Sequence, residues 1–206
     1  MWRTTWNRIR WTVYSPIYDS IAKIFGPKRA ISIGQLTTPK DGKVLIVGAG
    51  TGLDLPYLIN FSDITATDLT PAMLAQLKQR AKKLKIPVQA QVMNGQQLEF
   101  PDVSFDAVIL HLILAVMPDP YRCLAEVERV LKPGGEVVIF DKFLPEGQEA
   151  SWGRKLLNVL TDLLATTINR KTSLLLAGRS FEILQDRPVG WGGLLRTLHL
   201  KKPEKE

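Results

Sequence analysis

The chain has 206 residues, enough for one domain of ordinary size and too few for two comfortable ones. Apolar residues make up 45% and charged residues 23%, which excludes wholesale disorder and a fibrous repeat. The net charge of +7 is uneven: residues 1–40 hold seven basic side chains (Arg3, Arg8, Arg10, Lys23, Lys28, Arg29, Lys40) against one acid, Asp19, ahead of a nearly neutral body.

The basic head also carries Trp2, Trp6 and Trp11. At 100° per residue, Trp2, Trp6, Ile9 and Val13 share one helical face, with Arg3 and Arg10 along one edge and Arg8 toward the other side. This is an interfacial pattern, and each Arg near an anionic membrane contributes about 1 kcal/mol. The alternative is a helix docking its stripe on the domain itself, which suits Trp11 on the far face. The head therefore divides from the body as residues 1–40 and 41–206.

Beyond the head, short β-rich runs alternate with helical patterns, the writing of an α/β fold. Strands are predicted at Val44–Val47, Ile64–Thr67, Val88–Met93, Ala107–Leu110 and Glu136–Phe140, each mostly apolar, as in a parallel sheet covered on both faces. A short helix is predicted over Leu53–Ile59. A longer one starts with Thr70 as N-cap and Pro71 at the first helical position, with Met73, Leu74, Leu77, Ala81 and Leu84 on one face. Another runs from about Pro120 to Val130 and stops at Lys132-Pro133-Gly134-Gly135. An amphipathic stretch, Trp152 to Ile168, is followed by an apolar piece at Leu174–Ala177. Two strand-like runs, Phe181–Arg187 and Leu194–Leu200, then read as a closing antiparallel pair, and Lys201–Glu206 as a frayed tail.

The strongest local signal is Val44–Gly52, a strand followed at once by Gly48, Gly50 and Gly52. Glycines let the chain turn sharply and let its backbone approach a nucleotide-like ligand. Twenty residues beyond Gly48, Asp68 ends the next strand, where a carboxylate can accept both ribose hydroxyls. The dinucleotide fingerprint would want its third glycine at position 53, but leucine stands there.

With its G-x-G-x-G spacing, the chain resembles the class I S-adenosylmethionine (SAM)-dependent methyltransferases over nearly all of residues 40–200. Val44–Gly52 is similar to the family's first motif and Ile64–Leu74 to its second. Phe105–Asp119 resembles the fourth-strand segment, and Leu131–Asp141 the fifth-strand motif. The resemblance implies a Rossmann-like, doubly wound, seven-stranded sheet, mostly parallel with an antiparallel C-terminal strand. It implies SAM as cofactor, with Val47, Gly48, Gly50, Thr51 and Gly52 along its methionine and ribose part, Asp68 on the ribose diol and Leu69 against adenine. Asn94, Gly95 and Gln96 align with a segment that usually has aspartate at position 94; the Asn94 side-chain oxygen could accept from the adenine amino group. His111 completes the cofactor set.

Methyl transfer from a sulfonium needs a positioned nucleophile in a dry site, above the C-terminal ends of the strands. The residues expected there are His111, a candidate proton acceptor or a structural histidine, and Asp141, which either orients a substrate amine or caps Lys142. Tyr14 and Tyr18 are possible covers, with Tyr18 counted among the catalytic candidates. The tetrad typical of nucleobase-amine methyltransferases is absent, so no nucleic-acid partner is expected. Within the superfamily the chain is similar to bacterial phosphatidylethanolamine N-methyltransferases and ubiquinone/menaquinone C-methyltransferases. The expected acceptor is therefore a lipid or small molecule, foremost the phospholipid amine, with a quinone precursor second and a membrane-tethered SAM-binding module as the non-enzyme alternative.

Cys123 is the sole cysteine and excludes an intramolecular disulfide and a cysteine-based zinc cage. With only His111 and His199, no metal is expected. The chain shows neither a secretory core nor an apolar run of about 18 residues. The expectation is a cytoplasmic monomer, peripheral at the inner face of an anionic membrane.

Overall fold

The computed structural model describes residue 19 and residues 22–143 and 171–204. The candidate membrane face of residues 1–13, Tyr14, Tyr18 and the amphipathic stretch 152–168 lie outside the described residues. Seven strands form one sheet: β1 (Lys43–Val47), β2 (Asp63–Asp68), β3 (Gln89–Val92), β4 (Phe105–His111), β5 (Leu131–Lys142), β6 (Glu182–Gly190) and β7 (Leu195–Lys201). Their order is β3-β2-β1-β4-β5-β7-β6. The first five run parallel, and β7 is antiparallel to both β5 and β6.

The order reverses between β1 and β4, because the chain first winds outward to β3 and then returns across β1. Crossovers of this kind place helices on both faces, and the burial pattern records it. Val44 and Ile46 of β1 pack with Leu74, Leu77 and Ala81 of α2 (Pro71–Leu84) and with Ile33 of α1 (Gly26–Ile33). Leu45 and Val47 point the other way, to Leu124 and Val127 of α3 (Pro120–Val130). Strand alternation against helical i, i+3, i+7 spacing thus builds two apolar layers around one sheet. A fully buried leucine such as Leu77 or Leu124 contributes about 1.5–3 kcal/mol. A five-residue helix, α4 (Thr172–Leu176), packs on α3 and buries Leu175.

Several predicted elements change on folding. Leu53–Ile59 forms no α-helix, only a 3-10 turn at Leu55–Tyr57, held by i→i+3 bonds such as Leu58 N–H to Leu55 O (2.9 Å). Pro56 supplies no N–H, and only four residues separate Leu58 from the start of β2 at Asp63. The run at 88–93 is an edge strand with Gln89, Gln91 and Val92 exposed, rather than one covered on both faces. Lys132–Gly135 is taken into β5 rather than breaking the chain. The tail is anchored as far as Lys202: its N–H donates to Gly135 O, Gly134 N–H donates to its carbonyl, and its ammonium donates to the carbonyls of Glu128 and Leu131. The Glu128 carbonyl lies in the last turn of α3 and Leu131 is its C-cap; both need donors, and a lysine supplies them.

Candidate active site

Where the strand order reverses, the loops after β1, β2, β3 and β4 meet at the C-terminal edge of the sheet and enclose a cavity. Val47, Gly48 and Gly50 form one wall. Asp68, Leu69, Thr70 and Met73 come from the end of β2 and the start of α2; Met93 to Gln96 follow β3; His111 to Ile113 and Val116 to Pro118 follow β4.

The glycine turn is built in three distinct ways. Gly48 has φ +70°, and a Cβ there would lie 2.4 Å from Ile113 Cγ1, so only glycine leaves this wall open. Gly50 donates its N–H to Asp68 Oδ2 at 2.9 Å, tying the turn to β2. Gly52 faces away from the cavity: a Cβ on it would meet Leu77 Cγ at 2.9 Å, so this glycine allows α2 to approach closely. Thr51 is also outside the lining, contrary to the cofactor set expected for it. Its hydroxyl reaches Asp19 Oδ1 at 2.5 Å, and its carbonyl and hydroxyl accept from Arg80 of α2, which also pairs with Asp19.

Asp68 is the cavity's carboxylate. Its oxygens accept only neutral donors, the N–H groups of Gly50 (2.9 Å) and Thr70 (2.8 Å) with help from the Thr70 hydroxyl. Burial raises its pKa above the usual carboxylate range, and these donors only partly oppose the shift. Each oxygen retains lone-pair capacity toward the cavity. Thr70 occupies the N-cap position of α2 in extended conformation, but its side chain makes no capping bond; Asp68 holds its N–H instead. Asn94 Oδ1 accepts from both the backbone and side-chain nitrogens of Gln96 at 3.1 Å, so that oxygen is turned into its own loop. Gln96 Oε1 in turn accepts from Asp119 N–H, the N-cap of α3.

His111 lines the cavity at the end of β4 while belonging to a buried polar network. Its Nδ1 lies 2.6 Å from Asp54 Oδ1 and its Nε2 lies 3.0 Å from Ser32 Oγ. The same Asp54 oxygen accepts from Arg29 Nη1 at 2.7 Å. Arg29 and Ser32, three apart on α1, present the same helical face to this pair, and all four side chains are buried. Burial alone would raise the Asp54 pKa, but the charge of Arg29 and the contacts to His111 outweigh it and hold the carboxyl far below its usual range. The anionic acceptor at Nδ1 selects the tautomer with its proton there, leaving the Nε2 lone pair toward the Ser32 hydroxyl.

Asp141 stands outside the cavity, against its catalytic candidacy. One oxygen accepts from Lys142 N–H (2.8 Å) and the other from Ala115 N–H (3.1 Å), and its side chain is buried. It pins the loop after β4, in which Leu112 adopts φ +57° and Ile113 covers Gly48. Sequence reading missed the apolar lining of Met73, Met93, Leu112, Ile113, Val116, Met117 and Pro118. Its signal was present: an apolar run that continues for several residues past the end of a strand has something other than sheet to cover. Among the described residues, no group of three or more His, Cys, Asp or Glu is placed to hold a metal ion, and no helix is long and apolar enough to cross a membrane.

A sequence model of the family described as "Methyltransferase domain" matches residues 45–139, the segment that supplies most of this cavity. The chain is 28% identical to the phosphatidylethanolamine N-methyltransferase of Cereibacter sphaeroides over 195 residues, 94% of each chain. It is 33% identical to the demethylmenaquinone methyltransferase of Tropheryma whipplei (strain Twist) over 62% of its own length, spanning about half (53%) of that protein. Among solved structures, the [4+2]-cyclase SpnF superposes with a TM-score of 0.80 at 17% identity, over 96% of this chain and 95% of that one. Geranyl diphosphate C-methyltransferase from Streptomyces coelicolor A3(2), solved with S-adenosyl-L-homocysteine, gives 0.72 at 15% identity over 85% of this chain and 75% of that one. The fold is thus shared with proteins of different chemistry, and the sequence matches define the class. Residues 45–139 match the methyltransferase-domain model, and the chain is similar in sequence to class I SAM-dependent methyltransferases, whose cofactor is SAM.

The residues present fit that cofactor. The wall at Gly48 is one that any Cβ would obstruct, and Asp68 offers carboxylate oxygens beside it.

Proposed function

We propose that the enzyme methylates the amine of phosphatidylethanolamine at a membrane surface. The observation that carries this reading is the end-to-end match to the phosphatidylethanolamine N-methyltransferase, which covers 94% of both chains, whereas the demethylmenaquinone methyltransferase matches over 62% of this one. The head's Trp2, Trp6, Arg3, Arg8 and Arg10 support a membrane-borne acceptor.

SAM supplies a sulfonium methyl group to a nucleophile in line with its carbon–sulfur bond. In this reading Asp68 accepts the ribose hydroxyls, Leu69 and Met93 to Gln96 bound the adenine side, and Val47, Gly48 and Gly50 leave room for the remainder. The apolar loop after β4 excludes water, so the acceptor amine is presented with its lone pair unsolvated. His111 takes the amine's proton on Nε2, exchanging its bond to Ser32, while the Asp54 carboxylate at Nδ1 stabilises the imidazolium that results and Arg29 holds that carboxylate in position. Asp141, whose oxygens are taken up by backbone amides, carries no step, and Tyr18 is given none.

Incubation with labelled SAM and a total lipid extract, followed by identification of the labelled product, tests the reading directly. Labelled mono- or dimethylated phosphatidylethanolamine is the expected outcome. Labelled quinone with unlabelled phospholipid would transfer the assignment to C-methylation of a quinone precursor, which the 33% identity to demethylmenaquinone methyltransferase favours. His111→Gln is expected to lower kcat about 100-fold with SAM affinity retained.

A further inference from the structure

Trp191 is 56% exposed and has φ +50°, in the left-handed region that residues with a Cβ rarely adopt. It stands at the turn from β6 to β7, between Gly190 and Gly192. The backbone thus accepts strain while a large aromatic ring stays in water. One side of that ring is supported by Phe25, edge-on at 5.7 Å between centroids. Phe25 ends the 3-10 turn Lys23–Phe25 ahead of α1, where Ile24 is 69% exposed and Lys23 is exposed as well. Lys28 closes the group, its Cε 4.0 Å from the place a Cβ of Gly190 would take. Apart from Arg29, which is buried against Asp54, the charges of residues 22–33 are Lys23 and Lys28, with no acid among them, and the turn 190–193 contains no charge.

The position of this group in the fold is informative. Leu195, at the start of β7, pairs with Lys142 at the end of β5, so the turn lies at the C-terminal edge of the parallel strands, where the cofactor cavity opens. Phe25 packs on Phe140 at 6.0 Å, and Phe140 packs on His111 at 5.8 Å, so successive rings seat the surface against the cavity wall. An indole with an apolar body and a polar N–H favours the headgroup level of a bilayer, and lysines beside it favour anionic lipid. A second copy of the chain would bring the same positive charge to the contact and be repelled.

The geometry points to an interfacial docking surface formed by Trp191, Ile24, Lys23 and Lys28, which sets the rim of the cofactor cavity against an anionic lipid bilayer. It deepens the proposed function, resting on the reading that the acceptor is a membrane lipid, and it is separate from the head at residues 1–13.

The test uses the full chain with one introduced label. Cys123 is buried, with its thiol pushed up to about 12, so a maleimide dye reacts with a new surface cysteine alone. A polarity-sensitive dye on Ile24→Cys is expected to shift its emission to the blue with phosphatidylglycerol/phosphatidylethanolamine vesicles and not with phosphatidylcholine vesicles. The same dye on Val103→Cys, exposed at the opposite edge of the sheet just ahead of β4, is expected to show no shift. Equal shifts at both positions, or none at position 24, overturn the proposal. Combining Trp191→Ala, Lys23→Glu and Lys28→Glu is expected to lower turnover on vesicle-borne lipid by about fivefold or more, with SAM affinity and turnover on detergent-dispersed lipid retained. A position-24 shift that follows protein concentration without vesicles would assign the surface to self-association and overturn the lipid assignment. Anionic-vesicle shifts at position 24 in an enzyme that methylates no lipid would sustain the docking surface while removing the proposed acceptor.

Discussion

Two aspartates follow the glycine turn, Asp54 just after it and Asp68 at the end of β2, and their surroundings push them in opposite directions. Asp54 is enclosed with Arg29 and His111, and those charges and contacts overcome burial to keep it ionised. Asp68 meets only amide and hydroxyl donors, so burial prevails and its pKa rises. A carboxylate whose charge is already matched holds the fold together. One left short of donors at a cavity wall is poised to gain from a ligand that brings hydroxyl groups. What sets Asp68 apart from Asp141, which burial also raises, is its place on the cavity wall.

The largest expected effect comes from breaking the closed side. Asp54→Ala leaves the Arg29 guanidinium buried without its carboxylate and is expected to cost about 3–5 kcal/mol, a Tm loss of roughly 10 °C in thermal unfolding. Asp68→Ala is expected to fall mainly on the ligand, weakening SAM binding on the order of 100-fold by calorimetry, with a smaller Tm loss than Asp54→Ala from the two amides it frees. Equal Tm losses in the two variants would erase the distinction. Gly48→Ala combines a left-handed φ with a Cβ in the space of Ile113; about 1–2 kcal/mol of stability and at least about tenfold in SAM affinity are expected to go together, read by the same two methods.

The pH dependence carries the sign of each carboxylate. Asp54 and Glu136 have folded pKa values below their unfolded ones, so their stabilisation is complete above the ordinary carboxylate range and is lost as pH falls. Burial opposes the shift at Glu136, but the hydrogen bonds from His199, Thr37 and Thr38 bring it to about 2, which places its loss between roughly pH 4.5 and 2. Asp68 and Asp141, with raised values, contribute the opposite slope: their protonated forms favour folding, and that benefit fades as pH rises from near 3.8. Denaturant titrations of Glu136→Gln are expected to show a flatter acid limb than the parent chain. The smallest effect is at Cys123, which is expected to resist alkylation in the folded enzyme and react only on unfolding, as followed by mass spectrometry.

What could be read before folding divides along the same line. The cavity positions of Gly48, Gly50 and Asp68 were legible because strand, turn and acid lie in the consecutive, paired strands β1 and β2 and their geometry follows from local spacing. The Asp54 network was not. His111 is 57 residues from Asp54 and 79 from Ser32, and only the placement of β4 beside β1 and of α1 over its end brings them together. For Asp141 the sequence left two roles open, a substrate amine or Lys142, because strand-end acids look alike; the bond from Lys142 N–H matches the second, while the bond from Ala115 lies in a loop whose path depends on β4 and β5 being neighbours. The predicted helix after the glycine turn failed on Pro56 and on the few residues left before β2.

The strand order also governs the timing of assembly. Among the described residues β6 has a single strand neighbour, β7, which follows it in the chain and is inserted between it and β5. During synthesis β6 therefore leaves the ribosome with no edge to join, and β5 waits with one side unpaired. Both are satisfied when residues 195–201 arrive, so this half of the sheet closes in one late event. The Trp191 turn takes its place against Phe25 only then, so β7 also completes the surface beside the cavity.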